Sequence, residues 1–525
     1  MQRRTFLAAS AASLALPAVA SAQKTRLLKF IPQSDLTILD PIWTQAYVTR
    51  NHGFMVFDTL YGIDNQFRTQ PQMLAGHTTG NDGKLWKLTL RDGLKWHDGE
   101  KVLARDCVAS IKRWGARDAF GGTLIDFTDE LSAPDDKTIQ FRLKRPFPLL
   151  PDALGKPGSN FCAMMPERLA NTDPFKQITD MVGSGPFKFS AKERVVGSLV
   201  VYTRNADYVP RSSGRPEWTS GPKVVNFDRI EWHVIPDAAT AAAALRQNEM
   251  DWWENPTTDM IPLLQRDHKL VVKVTDPTGL MGCLRPNALT APFDNPRIRR
   301  ALLKAINQSD YMIACAGTNP KSWHVPSGIF ATGTPMASTA GLQVFNGPRD
   351  YAAAKQEIEA AGYKGEKVVL LAPTDIAVLK AEADVGADMM QKIGLNVDYQ
   401  AMDWGTVVQR RASMKPLDQG GWSLFHTFWS GLDQANPVGH AFLRGNGKAT
   451  APGWPTAPKI EELRTEWINA PNLDAQKKLA VELQRQALID LPYIPLGQMF
   501  QPTSFNNHVS GVLNGFAMFW NVKKS

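Results

Sequence analysis

Between Trp86 and Trp114 the apolar residues change their spacing from every second residue to one helical turn, and the switch happens across two Asp-Gly pairs. Trp86, Leu88 and Leu90 alternate with Lys87, Thr89 and Arg91, which sends the apolar side chains to one face of a strand. Asp92-Gly93 supplies the residues a tight hairpin turn needs, Leu94-Lys95-Trp96 resumes the alternation on a returning strand, and Asp98-Gly99 stops it. From Ala104 the apolar positions become Ala104, Val108, Ile111 and Trp114, one face of a helix. Neither an all-helical nor an all-β fold accommodates that change of period. His97 and Asp98 fall at the strand end and turn, where neighbours point to opposite faces, so they read as a solvent-facing turn and not as a catalytic pair.

The same alternation of elements recurs later. "KVVLLAP" (367 to 373) is a buried-strand run, "AVLKAEADVGADMMQKIG" (377 to 394) is an amphipathic helix closed by Gly394, and "NVDYQAMDW" (396 to 404) is a second strand. At 525 residues the chain exceeds what one hydrophobic core organises, so two or three lobes are expected. A formal charge of +8 is spread along the chain without Lys/Arg runs interleaved with aromatics, so no nucleic-acid partner is expected.

The first 22 residues read "MQRRTFLAASAASLALPAVASA": a charged start with Arg3-Arg4, a short apolar run diluted by Ala and Ser, and an A-x-A end. This is the pattern of a secretory signal, and R-R-x-F-L resembles the twin-arginine type. Cleavage after Ala22 leaves a soluble chain starting at Gln23. Cys107, Cys162, Cys283 and Cys315 are far apart, without a C-x-x-C, and at most one disulfide is expected. The chain has no nucleophile elbow, H-E-x-x-H, phosphate loop or dinucleotide fingerprint. Its histidines form no i, i+4 pair, the nearest candidates being His426 and His440. No enzyme activity, cofactor or metal site is expected.

Taken in order, several blocks carry a resemblance. "SDLTILDP" (34 to 41) as an opening strand, "FDTLYGID" (57 to 64), "WKLTLRDGLKWHDGEKVLARDCVASIKRW" (86 to 114), "VGSGPFKF" (182 to 189), "RNADYV" (204 to 209), "IPDAATAAAALRQNEMDW" (235 to 252), "APFDNPRIRRALLKAIN" (291 to 307) and "YAAAKQEIEAAGYK" (351 to 364) follow one another. The series resembles bacterial extracytoplasmic solute-binding proteins of the peptide/nickel class, family 5, which serve ABC importers and include dipeptide- and oligopeptide-binding proteins. It covers nearly the whole chain after residue 22. In Gly183-Ser184-Gly185-Pro186 the glycines are expected to permit a tight, positive-φ path and Pro186 to fix its exit. Asn248 stands where many members carry Gly, and Asn also tolerates the left-handed conformation.

The resemblance implies an α/β, two-lobed periplasmic-binding-protein (Venus-flytrap) fold on a hinge that the chain crosses twice. The first lobe is expected at 23–276 plus 493–525, with an inserted subdomain at about 66–181, and the second at 277–492. It implies a monomeric periplasmic receptor that captures a small solute, a short peptide in the first place, and docks on the transmembrane subunits of an ABC permease. A secreted hydrolase, or a peptide chaperone using the same fold, is the alternative. The cleft is expected to draw on "GGWSLFHTFWSGLDQANP" (420 to 437), which carries Trp422, Trp429, Asp433 and Asn436 just after a strand. Asp433 lies near the place where peptide-binding relatives hold a ligand ammonium. Trp43, Tyr47, Trp253, Asp375 and Trp404 complete the expected set, with Trp252 beside Trp253 a further candidate. Core packing serves a single tryptophan equally well, so the cluster carries the expectation. Relatives that bind dipeptides place an arginine after a second-lobe strand where this chain has Asp375.

Overall fold

The computed structural model describes residues 26–525. The expected export signal at 1–22 lies outside the described residues. Three larger sheets organise the chain. The first has seven strands and is centred on Leu27–Ile31, which pairs in parallel with Arg229–His233 on one side and Trp252–Trp253 on the other. Its outer strands, from Phe187–Phe189 and Leu199–Arg204 to Thr503–Asn506 and Leu270–Lys273, are antiparallel. Phe30 packs against Trp232, Trp252 and Phe519 at ring separations of 5.5, 5.2 and 4.9 Å, so the C-terminal segment seals this sheet.

The second sheet has six strands in the order Trp323–His324, Ile494–Met499, Leu280–Pro286, Leu424–Ser430, Lys367–Pro373 and Asn396–Met402. Parallel Lys367–Pro373 and Asn396–Met402 are joined through the helix Ala377–Lys392, the crossover that a parallel pair requires. Val368, Leu370, Leu424 and Ile494 form its core with Tyr311, Met312 and Met390 of the covering helices. A mixed α/β, two-lobed architecture results, each lobe built on one of these sheets. The chain passes from the first sheet to the second at 274–279 and returns at 500–502. The expected return at 493 therefore precedes its place, because Ile494–Met499 pairs with Leu280–Pro286 in the second sheet. Both crossings touch: Gly279 has a φ of +56°, and a Cβ there would stand 2.3 Å from the Met499 carbonyl oxygen.

The third sheet is antiparallel, ordered Leu74–Gly80, Leu85–Leu90, Thr138–Leu143 and Thr128–Ser132, and packs on the helix Ala104–Gly115 through Cys107, Ile111 and Trp114. Leu85–Leu90 and the helix stand where the periodicity puts them. The hairpin between them does not. Leu85–Leu90 pairs with Leu74–Gly80 and Thr138–Leu143, while the chain at Leu94–Trp96 folds back on Glu100–Val102 across Asp98-Gly99 (Trp96 N–H to Glu100 O, 2.8 Å). Asp-Gly marks the second turn; at the first, partners from remote sequence displaced the local pairing.

Two other local expectations change. "SDLTILDP" is an irregular segment and the opening strand is Leu27–Ile31; Asp40 within the segment is buried in a 2.7 Å ion pair with Arg113 of the helix Ala104–Gly115. Gly183 and Gly185 do not have positive φ. They are glycines because a Cβ would stand 2.0 Å from the Val56 carbonyl oxygen at Gly183 and 2.6 Å from that of Met55 at Gly185. Asn248 is left-handed (φ +59°), as its αL tolerance requires. All four cysteines are free and buried. No helix among the described residues is long and apolar enough to cross a membrane.

Candidate ligand cleft

The C-terminal ends of Lys367–Pro373 and Asn396–Met402 open toward the first lobe, so the residues just beyond each strand face a gap. That position follows from the parallel pairing, which delivers both chain ends to one edge of the sheet. Asp375 follows the first strand and Trp404 the second, and the Trp404 N–H donates to Asp375 Oδ1 at 2.8 Å. Asp403 caps the helix Trp404–Arg410 by accepting from the Thr406 N–H at 3.0 Å. The gap holds two adjoining compartments of about 450 and 600 Å³ that share Gln33, Tyr47, Ile376 and Phe428 as walls.

The larger compartment is aromatic and carries two arginines. The Arg117 guanidinium lies 4.9 Å from the Trp43 ring centroid and donates to the Trp43 carbonyl at 3.2 Å. Arg411 lies 5.2 Å from the Trp404 ring centroid, seven positions along the same helical face. Desolvation lowers the Arg411 pKa to about 10, so it stays charged at neutral pH. Trp429 packs edge-on against Phe442 at 5.2 Å, and its buried indole N–H has no acceptor within the protein.

The smaller compartment carries three acidic side chains, Glu254, Asp276 and Asp375, and one arginine, Arg50. Glu254 accepts from the Gln33 N–H at 2.8 Å and from Asn51 Nδ2 at 2.6 Å. Asp276 accepts from the Thr278 N–H and hydroxyl at 2.8 and 2.6 Å. Burial raises the pKa of both carboxyls. Arg50, one turn beyond Tyr47 on the helix Tyr47–Val56, is buried with its guanidinium 4.1 Å from the Phe516 ring centroid and one Nη nitrogen unpartnered. Desolvation lowers its pKa, and the charges of Asp433, Tyr47, Asp276 and Glu254 oppose that shift.

Besides the Thr258 hydroxyl, which donates to the Cys315 carbonyl at 3.5 Å, two hydrogen bonds beside the compartments tie the lobes. The Ser430 N–H donates to the Tyr47 hydroxyl at 2.5 Å, and the Ser159 N–H donates to Asp433 Oδ1 at 3.1 Å. Gly158 lies so close that a Cβ there would stand 2.2 Å from Asp433 Oδ1. Asp433 Oδ2 is buried without a partner, and burial raises the pKa of this carboxyl, against the pull of Lys156 and Arg50.

Of the nine residues expected in the cleft, the structure brings together Trp43, Tyr47, Asp375, Trp404 and Trp429. Trp253 faces away, into a core with Ile31, Leu245 and Leu264; residues alternate along a strand, so Trp252 is the one bordering the smaller compartment. Trp422 is fully buried, 5.2 Å from Phe425 and 5.6 Å from Trp454, with its indole N–H given to the Ser413 carbonyl at 3.2 Å. Asn436 Oδ1 accepts from the N–H groups of Val438 and Gly439, each at 3.0 Å, and shapes a turn. Asp433 joins the lobes beside the compartments and lines neither.

Sequence reading missed Arg50, Arg117, Glu254, Asp276 and Arg411. Arg50 and Arg411 carried a signal, since each sits at helical spacing from an expected aromatic. The other three reach the cleft from segments with no local mark.

Residues 68–447 match the model for bacterial extracellular solute-binding proteins, family 5. The chain is 35% identical over 494 residues to a probable peptide ABC transporter periplasmic-binding protein of Sinorhizobium fredii, covering 94% of this chain and 92% of that one. Its fold is similar to that of AgaA, a periplasmic binding protein of A. tumefaciens in complex with agropinic acid (TM-score 0.79, 19% identity, 95% and 99% of the two chains). It is also similar to a dipeptide-binding protein of Pseudoalteromonas in complex with Met-Leu (TM-score 0.77, 19% identity, 95% and 100%).

Proposed function

We infer, because the chain belongs to family 5 of the bacterial extracellular solute-binding proteins, that this cleft holds a short, peptide-like solute which the protein delivers to the transmembrane subunits of an ABC permease. The protein is the substrate-binding component of such an importer, and its family consists of binding proteins, not enzymes. Neither the hydrolase nor the chaperone reading gains support from the relatives. One observation carries the site: Tyr47–Ser430 and Ser159–Asp433 join the lobes around two compartments walled by aromatic rings. Enclosure desolvates a bound solute and strengthens its few polar contacts. The solute then stabilises the closed arrangement by its preference for it.

In this reading residues 26–276 with 500–525 and residues 277–499 move as two lobes about the crossings at 274–279 and 500–502. Trp43, Tyr47, Asp375, Trp404 and Trp429 contact the solute. The Arg3-Arg4 signal exports the chain to the periplasm, where it works as a monomer without catalysing a reaction. Thermal unfolding of protein recovered from the periplasm tests this: short peptides are expected to raise the melting temperature in a saturable way, because they bind only the folded chain. The amino terminus is expected to read from Gln23. A melting temperature indifferent to every short peptide would refute the ligand class, and product formation from a peptide would refute the carrier.

A further inference from the structure

We propose that Glu382 works as a proton-operated switch behind the cleft wall. With its proton in place the helix Ala377–Lys392 seats on the second sheet; loss of the proton at alkaline pH loosens the turn that walls the cleft and weakens ligand binding. This rests on the reading of the cleft as the solute site and adds a control on it.

Three polar side chains meet inside the second lobe, where the helices Ala377–Lys392 and Gln308–Ala316 cover the sheet. Glu382, Tyr311 and His426 are fully buried, and both carboxyl oxygens, the hydroxyl and both ring nitrogens lack a hydrogen-bond partner within the protein. Two glycines make room for them. A Cβ at Gly282 would stand 2.6 Å from Glu382 Oε1, and one at Gly386 would stand 2.4 Å from His426 Nε2 and 3.4 Å from the Tyr311 hydroxyl. The carboxyl therefore lies against the bare backbone of the strand Leu280–Pro286.

No cation offsets a charge on Glu382. Burial alone acts on it and raises its pKa well above the ordinary carboxyl value. Tyr311 and Cys315 of the neighbouring helix and Cys283 of the sheet feel its charge, and burial pushes all three up, so they stay neutral. Burial lowers the His426 pKa to about 3, so the ring is neutral as well. Lys380 and Lys392 pair with Asp384 and Asp388 on the outer face of the same helix, and Asp310 pairs with Arg349. Arg285 gives its N–H groups to the carbonyls of Phe442, Ala451, Pro452 and Pro492. Ionised Glu382 is thus a buried charge without a partner, which a protein interior strongly disfavours.

The penalty has a direct route to the cleft. Val378 and Leu379, one helical turn before Glu382 on the same face, line the two compartments, and Cys315 Sγ lies 3.6 Å from the Val378 carbonyl oxygen. Phe428, a wall of both compartments, pairs with Gly282 across the strands and shares a sheet face with His426. Hydrating an ionised Glu382 requires the first turns of the helix to lift from Gly282, and the same movement carries Val378 and Leu379 out of the wall. A carboxyl exposed by lifting ionises near its ordinary value, whereas the seated one keeps its proton. The lifted form therefore gains up to about tenfold per pH unit on the seated form, until Glu382 ionises in place. The wall weakens as pH rises, not as it falls.

The test uses the full exported protein, pooled di-, tri- and tetrapeptides with free termini, and two variants. E382Q keeps the shape and cannot ionise, and E382M removes the polar group. Titration calorimetry gives affinity at pH 6 and pH 9, and hydrogen exchange read by mass spectrometry gives the opening of residues 377–392. Comparing proteins at one pH cancels the titration of the peptides themselves. Wild type and E382Q are expected to bind within about twofold of each other at pH 6; at pH 9 the wild type is expected to bind about fivefold more weakly and to open its helix about tenfold more often. E382M is expected to follow E382Q. Affinities that change with pH in parallel in the wild type and both variants, or a helix that loosens without loss of affinity, would overturn the switch and leave the peptide-binding cleft standing. Peptides that bind at neither pH would overturn the cleft reading and the switch with it.

Discussion

His97 shows how one side chain can look catalytic and serve structure. Its Nδ1 accepts from the Gly183 N–H at 3.4 Å, so the single ring proton of the neutral form sits on Nε2 and is donated to the Gly185 carbonyl at 3.0 Å. The ring thus holds the Gly183-Ser184-Gly185-Pro186 turn and is not the solvent-facing residue its turn position implies. Desolvation lowers its pKa to about 4, with Lys188 acting in the same direction. Between pH 6.5 and 4 the unfolded chain takes up a proton that the folded chain refuses, so stability falls as pH falls. The slope is at most about 1.4 kcal/mol per pH unit for this group. H97Q keeps a donor and an acceptor but cannot titrate. Its urea-unfolding free energy is expected to decline less steeply across that window than the wild type's, and parallel declines would show that His97 is not a source of the acid sensitivity.

At the scale of elements, periodicity located the strands Leu85–Leu90, Lys367–Pro373 and Asn396–Met402 and the helices Ala104–Gly115 and Ala377–Lys392, and close backbone approach explained what it could not. The helix Ala377–Lys392 and the strands around it stand as the apolar pattern requires. Gly183 and Gly185 were legible as a turn, yet the reason for glycine lies in the Val56 backbone passing against them, a neighbour more than a hundred residues away in the chain. G183A forces a Cβ against that carbonyl. Its cost is expected at about 3 kcal/mol, as for overpacking a rigid interior, measured by denaturant titration. A cost below about 0.5 kcal/mol would mean that the turn shifts freely and does not anchor the strand Phe187–Phe189.

At the scale of the whole molecule, function depends on how the lobes meet. Gly158 lets Asp433 approach the Ser159 N–H, and no side chain fits between them. G158A is expected to block this contact without disturbing either core, leaving the unliganded melting temperature near the wild-type value. Loss of one buried hydrogen bond from the closed form, about 1 kcal/mol, weakens peptide binding by about fivefold and enlarges the liganded particle in solution scattering. Unchanged affinity and size would remove Asp433 from the closure mechanism. This contact is not legible in the sequence, because its partner is 274 residues away.

By itself the sequence determined the α/β character, the order of the blocks, the two-lobed plan and the loops that face the gap. The α/β character follows from spacing and turn chemistry among near neighbours, which a linear string displays in full, while the two-lobed plan and the facing loops come from the resemblance that the ordered blocks carry. Tertiary structure alone decided which face of Trp252–Trp253 borders the cleft, that Trp422 belongs to a core, that Arg117 and Arg411 meet in one compartment, and that Asp433 joins lobes. Each depends on strand parity or on segments brought together from distant parts of the chain. Such contacts arise from burial and closure of the whole chain, for which local pattern carries no mark.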